Sequence, residues 1–514
     1  LKNHCMIYYT MVMMKRLSAL FGGKLWMIAV LILVAIGAFL RLHLIYETAT
    51  FLGDQGRDAI VMRNIATLRD LPALGPITSV GSIYLGPLYY YMMAPWLWLS
   101  IFNPIGPAVG IALITSAALF LQYIAVKEMV NKQTALLSVT FATFSWVLVE
   151  YSRFSWNPNL LPQTTLFVAY TLYKIVKTKK LRYFILHGIL LSLAIQLHYL
   201  AVFLLPVTIV VLLFNDINDL PAGKQERKDP LLLHIGNSLT LGASFVLPLA
   251  PFLLFEVIHS FPNFRSILHF SSTNSGSSNT PFNNELFTSL QNTVQFATQY
   301  NFTGWWVIFI GLLLFVVFIY TLKKGEKISY LVGSLLVMII GVSFYRGPKY
   351  AHYVGGTYLL LYVTASYLLV KLGRFNAYLG GLLIALTLGV FLNLNVQKYY
   401  FLREKDHQNQ IDKAYQIALT IISMKPTETF TLTSSPDAYA DYPYRYFLDV
   451  LNKKPISKEA DSYSPSNSLF VVCEAQCNPM SDPQWAIAHF NPKKIEATKT
   501  ISAYPWLKVY KLTR

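Results

Sequence analysis

Charge is what this sequence has little of. Only 13% of its 514 residues are Asp, Glu, Lys or Arg, where a soluble domain carries roughly 25%. That deficit excludes a disordered chain and argues against a purely soluble enzyme. Cysteine is scarcer: Cys5, Cys473 and Cys477 are the three in the chain. They are too few for a disulfide scaffold, and no CxxC pair or His/Cys spacing suggests structural zinc. P-loop and Rossmann glycine patterns are also absent, so no nucleotide site is expected. No repeat relates the two halves of the chain, as many transporters would show.

Apolar residues make up 54% of the chain, and the charge is unevenly spread. The first 395 residues hold 40 charged side chains, about 10%, and the last 119 hold 27, about 23%. The front therefore reads as a membrane domain (25–395) and the tail (396–514) as a small water-facing domain. A formal charge of +17 would suggest nucleic acid in a soluble protein. Here the basic residues sit in short links between apolar runs, where they act as topology signals, and no nucleic-acid partner is expected.

A bilayer core of roughly 30 Å needs about 20 apolar residues per helix. Eleven runs qualify, at about 25–45, 107–126, 134–150, 160–176, 183–198, 200–214, 231–256, 304–322, 328–345, 351–370 and 376–395. The first follows Lys15, Arg16 and Lys24 and lacks a small-residue cleavage site, so it is expected to be a retained anchor with residues 1–24 in the cytoplasm. A twelfth apolar stretch, 84–102, is broken by Pro87 and Pro95 and rich in Tyr and Trp. If it crossed, the basic links at Lys127/Lys132, Lys177–Arg182, Lys224–Lys228, Lys323–Lys327 and Lys371/Arg374 would all face outward. It is therefore read as juxtamembrane or re-entrant, inside a first outer loop of about 47–106. A second outer loop, about 257–303, carries the polar run SSTNSGSSNTPFNN.

In the tail, apolar residues recur at helical spacing over Ile411–Met424, and 443–452 and 483–490 are further helical candidates. Short apolar or alternating runs at 428–433, 468–473, 495–502 and 506–512 complete an expected outer α/β domain. Cys473 and Cys477 would lie on the oxidising side, where a disulfide and two free thiols are both open.

With this threading, ionisable residues gather at the outer membrane edge: Asp54, Arg57 and Asp58; Glu150 and Arg153; His198; and Arg346, Lys349 and His352. Such groups near hydrocarbon usually face a cavity or one another. The segment GDQGRDAIVMRNIATL predicts an amphipathic helix with Asp54, Asp58, Val61, Ile65 and Leu68 on one stripe. Asp54 fits either an N-cap or a general base, since a carboxylate in low-dielectric surroundings can take a proton from an attacking hydroxyl. Asp58 is expected to partner Arg57 or Arg63, or to position a neighbour. For His198 the alternatives are a hydrogen-bonded helix end and a site residue; for Arg153, a partner of Glu150 and a site residue. The cations of YRGPKYAHY either touch lipid headgroups or bind a phosphate group.

In their order, these features resemble the GT-C superfamily of integral membrane glycosyltransferases, specifically the bacterial protein O-mannosyltransferase and aminoarabinose-transferase-like families. The similarity covers about 25–370. It rests on GDQGRDA after the first span, GPLYYY with Tyr89 in the outer loop, the EYSRFSWNPN turn and QLHYLA. Two departures stand out. Asp54 is followed by Gln55 where members often have Glu, and Leu85 precedes Gly86, Pro87 and Leu88 where aminoarabinose transferases have a Lys before Pro-Pro-Leu.

The resemblance implies a polytopic α-helical protein of the cell membrane that moves a sugar from a polyprenyl-phosphate carrier to an acceptor protein, lipid or glycan. It implies Asp54 as catalytic base, and the residues read above leave Arg57, Asp58, Tyr89, Arg153, His198, Arg346, Lys349 and His352 as substrate-binding candidates. Inversion at the anomeric carbon is expected, with Arg and Lys stabilising the leaving phosphate, so that a divalent metal is neither required nor excluded. The rival readings are a flippase for a lipid-linked saccharide and a non-enzymatic membrane scaffold.

Overall fold

The computed structural model describes residues 24–78, 83–215, 230–273, 281–404, 406–456, 466–475 and 477–514. Cys5, nearly all of the N-terminal segment 1–24, the basic link at Lys224–Lys228 and the centre of the polar run at 274–280 lie outside the described residues.

Helices occupy the apolar runs. In chain order they are α1 (Lys24–Leu42), α2 (Gly53–Ala66), α3 (Leu88–Leu99), α4 (Ile105–Met129), α5 (Lys132–Phe144), α6 (Leu161–Thr178), α7 (Leu181–Leu197) and α8 (Leu204–Asn215). They continue as α9 (Pro230–Val246), α10 (Ala250–Ile258), α11 (Pro262–Thr273), α12 (Phe282–Thr298), α13 (Trp305–Lys323), α14 (Ser329–Ser343), α15 (Tyr358–Phe375) and α16 (Ala377–Val396). Among the described residues, six stretches are long and apolar enough to cross a membrane: α1, α4, Ile235–Ile258, α13, Gly355–Phe375 and α16. Shorter apolar helices include α7 and α14. α4 and α15 are largely buried in the bundle, whereas α1, α13 and α16 keep most of their apolar surface outward, as helices facing lipid would.

α3 has 12 residues, about 18 Å at 1.5 Å per residue, too short for a core of roughly 30 Å. It lies against α2 and α4, which fits a piece that does not cross. The region read as a second outer loop differs from expectation. It contains α11 and α12, and α12 is no loop: it buries Glu285, Ser289, Leu290, Thr293, Val294 and Ala297 against the bundle. Its apolar positions recur at helical spacing, but polar residues between them masked the pattern.

The basic links meet at one end of the bundle. Glu128, at the end of α4, pairs with Lys174 at 2.7 Å and Lys177 at 3.2 Å on α6. Lys177 and Lys327 both lie over the Tyr173 ring, and Glu326 pairs with Lys371 at 3.0 Å. Four links far apart in sequence thus share one pole.

The tail is an α/β unit. Helices α17 (Gln410–Ser423) and α18 (Tyr442–Val450) pack on a four-stranded sheet of β1 (Phe430–Ser435), β2 (Ser468–Cys473), β3 (Lys494–Ile501) and β4 (Tyr504–Thr513), ordered β1-β2-β4-β3. β1 and β2 are parallel, and β4 runs antiparallel to both β2 and β3. Along β2 the side chains alternate between two cores. Phe470 and Val472 join the cluster with α17 and α18, while Leu469 and Val471 pack with Ile487 and Phe490 of the short helix Trp485–Phe490. Cys473 and Cys477 are paired as a disulfide.

The first of these clusters continues into the membrane domain through Phe51, Ala59 and Met62. Polar contacts reinforce the junction. The Phe51 amide donates to Gln410 Oε1 (2.7 Å), Tyr446 Oη donates to the Phe102 carbonyl (2.6 Å), and Arg63 forms a buried ion pair with Asp449.

Candidate functional site

α2 begins after Leu52, whose amide donates to Gln55 Oε1 at 3.1 Å. Gln55, the residue that departs from the family pattern, therefore closes the first turn. Asp54 is not the N-cap. It lies inside the first turn, where the helix dipole favours a carboxylate. Its Oδ1 accepts from Tyr439 Oη at 2.7 Å and stands 3.1 Å from Arg57 Nη1. Among the described residues Oδ2 has no bonded partner, and the side chain is 37% exposed.

One turn on, Arg57 donates from Nε and Nη2 to Asp58 Oδ1 (3.0 and 2.7 Å) and from Nη1 to Tyr439 Oη (2.5 Å). Asp58 is buried, accepts a further bond from Tyr90 Oη at 2.9 Å, and leaves Oδ2 unbonded. It therefore partners Arg57; Arg63, the other candidate, is taken by Asp449. Burial pushes the Asp58 carboxyl up to about 6 against the pull of Arg57. Burial works to lower the Arg57 value, but Asp58 and its neighbours outweigh it, so the guanidinium stays charged. Burial, with Asp54 opposite, also raises the Tyr439 phenol, which remains a donor.

The expected stripe on α2 is wrong in part. Leu68 lies beyond the helix and is 81% exposed, while Gln55, Gly56, Ala59 and Met62 are buried. The helix is covered on two sides, by α3 and by α18, so no single stripe describes it.

Asp54 and Arg57 open onto a cavity of about 690 Å³. Its walls include Leu85, Trp156, Asn157, His198, Tyr199, Tyr345, His352, Tyr353 and Tyr439. The rings form a connected cluster. His352 lies 4.7 Å from Trp156 and 5.9 Å from His198 between centroids, and Tyr345 stacks on Tyr353 at 4.9 Å. His198 follows the last residue of α7 with extended backbone, and its Nδ1 accepts from the Leu200 amide at 3.3 Å. It is a hydrogen-bonded helix end that also faces the cavity.

The four motif segments converge here. Leu88 donates its amide to Gln196 Oε1 at 3.2 Å, Tyr89 Oη bonds Ser155 Oγ at 2.6 Å, and Asn157 Nδ2 donates to the Leu197 carbonyl at 2.8 Å. Gly86 is required at this junction, because a Cβ there would fall 2.2 Å from Gln196 Oε1.

Five expected site residues do not line the cavity: Tyr89, Arg153, Arg346, Lys349 and Asp58, the last buried behind Arg57. Tyr89 is fully buried behind the wall. Arg153 attracts Glu150 electrostatically without a direct ion-pair contact, and it does not line the cavity. It donates to the carbonyls of Leu40 and His43, both at 2.7 Å, and its guanidinium lies 3.8 Å from the Phe401 ring centroid. It thus caps the end of α1, where unpaired carbonyls attract a cation. Lys349 is buried in an ion pair with Glu285 of α12, which ties down the link after α14. Arg346 is exposed on that same link, whose Tyr345, His352 and Tyr353 reach the cavity. Sequence reasoning missed Trp156, Tyr199, Tyr353 and Tyr439. The first three lie inside motifs already singled out, whereas Tyr439 carried no signal. Among the described residues no three His, Cys, Asp or Glu side chains gather as a metal cluster.

Residues 85–222 match the family model of dolichyl-phosphate-mannose-protein mannosyltransferases. The fold is similar to ArnT from Cupriavidus metallidurans bound to undecaprenyl phosphate, with a TM-score of 0.57 and 12% identity over 95% of this chain and 98% of that one. The apo form of the same protein gives 0.55 and 11%, with the same coverage. Archaeal oligosaccharyltransferase AglB from Archaeoglobus fulgidus gives 0.47 and 12%, over 88% and 70%. A search of curated protein sequences finds no match. The matched segment is thus similar to that family, and the fold as a whole is similar to that of ArnT, in keeping with the resemblance to GT-C membrane glycosyltransferases.

Proposed function

We propose that the protein transfers a sugar from a polyprenyl-phosphate carrier to an acceptor hydroxyl at the outer face of the membrane, with inversion and with Asp54 as general base. The observation that carries this reading is the Asp54 carboxylate at the cavity. One oxygen is held by Tyr439 and Arg57, and the other is left for an incoming group. In the reaction the acceptor oxygen attacks the anomeric carbon as Asp54 takes its proton. The bond from that carbon to phosphate oxygen breaks, and polyprenyl phosphate leaves with the electron pair. The aromatic walls suit stacking on a sugar ring. Arg346, on the link that borders the cavity, is the cation assigned to the leaving phosphate. Lys349 instead holds that link in place.

The undecaprenyl phosphate bound by ArnT and the description of the matched family both favour a lipid-linked donor. The basic links at the opposite pole favour an outward-facing site and tail under the positive-inside rule. A flippase would place its site near the middle of the bundle, between repeats; this cavity lies at one end. The test is reconstitution in proteoliposomes with radiolabelled polyprenyl-phosphate hexoses and pentoses, following transfer to acceptor separately from movement across the bilayer. Transfer with inverted anomeric configuration is expected. Translocation without transfer would support the flippase.

A further inference from the structure

The tail meets the membrane domain where α2 carries Asp54 and Arg57. Two glycines on α2, a turn apart, permit the approach. A Cβ on Gly53 would fall 2.3 Å from Tyr439 Cδ1, and one on Gly56 would fall 2.4 Å from the Pro443 nitrogen. Tyr439 itself is fixed from the tail side. It lies in the 3₁₀ turn Ala438–Asp441, its amide donates to Asp437 Oδ1 at 2.9 Å, and its ring packs edge-on to Tyr442 at 5.1 Å. From this position one hydroxyl serves two groups at the site, donating to Asp54 Oδ1 and accepting from Arg57 Nη1.

We infer that the C-terminal domain completes the active site, and that Tyr439 is a positioning residue whose hydroxyl holds Asp54 Oδ1 so that Oδ2 faces the acceptor. This rests on Asp54 being the general base. A carboxylate on the first turn of a helix has rotamers that lead away from the cavity, and Arg57 alone cannot select among them because most of its donors serve Asp58 and Tyr439. Tyr439 supplies the missing constraint. Displacing a catalytic group by about 1 Å can cost on the order of 100-fold in rate.

Tyr439→Phe keeps the ring that walls the cavity and removes only the hydroxyl. In the full-length protein in proteoliposomes it should lower kcat by ~10- to 100-fold while leaving the donor KM and the thermal midpoint near those of the parent. Gly53→Ala, which pushes the ring aside with the hydroxyl intact, should lower kcat in the same way. Because the effect runs through Asp54, Tyr439→Phe should add no further loss in an Asp54→Asn background. Parental or increased kcat in Tyr439→Phe overturns the proposal, as does a loss that adds fully to that of Asp54→Asn. Near-parental turnover in Asp54→Asn alone would instead remove the general-base reading, so the two failures can be told apart.

Discussion

A buried carboxylate beside a guanidinium answers to pH, and Asp58 is such a group, pushed from an ordinary 3.8 to about 6 by burial against the pull of Arg57. Its folded value lies above the unfolded one, so the folded protein holds the proton more tightly. The stabilisation is complete below about pH 4 and is lost as the pH rises through about 6. Thermal denaturation in detergent at pH 4 and pH 7 should show Asp58→Asn removing roughly 2 to 3 kcal/mol of that dependence. An unchanged pH dependence would show that Asp58 is not the responsible group.

At this scale the sequence was legible where chemistry and motif coincide. Asp54, Arg57, His198 and His352 all reach one cavity. Tyr439 was not legible. It is one of 33 tyrosines, distant in sequence from the carboxylate it binds, and only tertiary packing joins them. Arg153 misled for the opposite reason, since a cation at a membrane edge looks the same whether it binds phosphate or caps a neighbouring helix.

Short apolar or alternating runs in the tail predict its strands and helices closely, whereas a helix covered on two sides in the membrane domain does not follow a single stripe. In the tail α17 has a single buried stripe, and β1 and β2, buried on both faces, are a short alternating run and a short apolar run. α2 defeated the single-stripe reading because α3 and α18 cover different faces of it. The proposed function gives the two cations of the link between α14 and α15 different roles, and this can be checked. Arg346→Gln should weaken donor binding and slow transfer together, by about 10- to 100-fold in kcat/KM if the phosphate contact is charge-assisted. Lys349→Gln removes the cation from a buried ion pair with Glu285 and should lower the thermal midpoint markedly, at a cost of about 3 to 5 kcal/mol. Equilibrium donor titration and thermal denaturation separate the two. Normal donor affinity in Arg346→Gln would return that residue to the lipid surface, and an unchanged midpoint in Lys349→Gln would make the ion pair dispensable.

For the whole molecule, composition sets an apolar front apart from a charged tail, and the basic links lead to an expected threading in which they share one side. The structure brings four of those links to one pole, with the cavity and tail remote from them. Charge bias is a global property that survives ignorance of packing, which is why it was readable. Labelling in intact cells would test the orientation. In a background lacking the native cysteines, an impermeant thiol reagent should react with Asp70→Cys and Lys454→Cys but not with Lys179→Cys; the reverse pattern would invert the protein.

The most direct test of the central claim is single-turnover sugar transfer by Asp54→Asn in proteoliposomes, with donor binding and thermal midpoint measured on the same preparation. The amide keeps the shape of the side chain and its bond from Tyr439 but cannot take up the acceptor proton. The account predicts a loss of about 10² to 10⁴ in the rate of transfer, with donor still bound and the fold intact. Transfer at near the parental rate would contradict it.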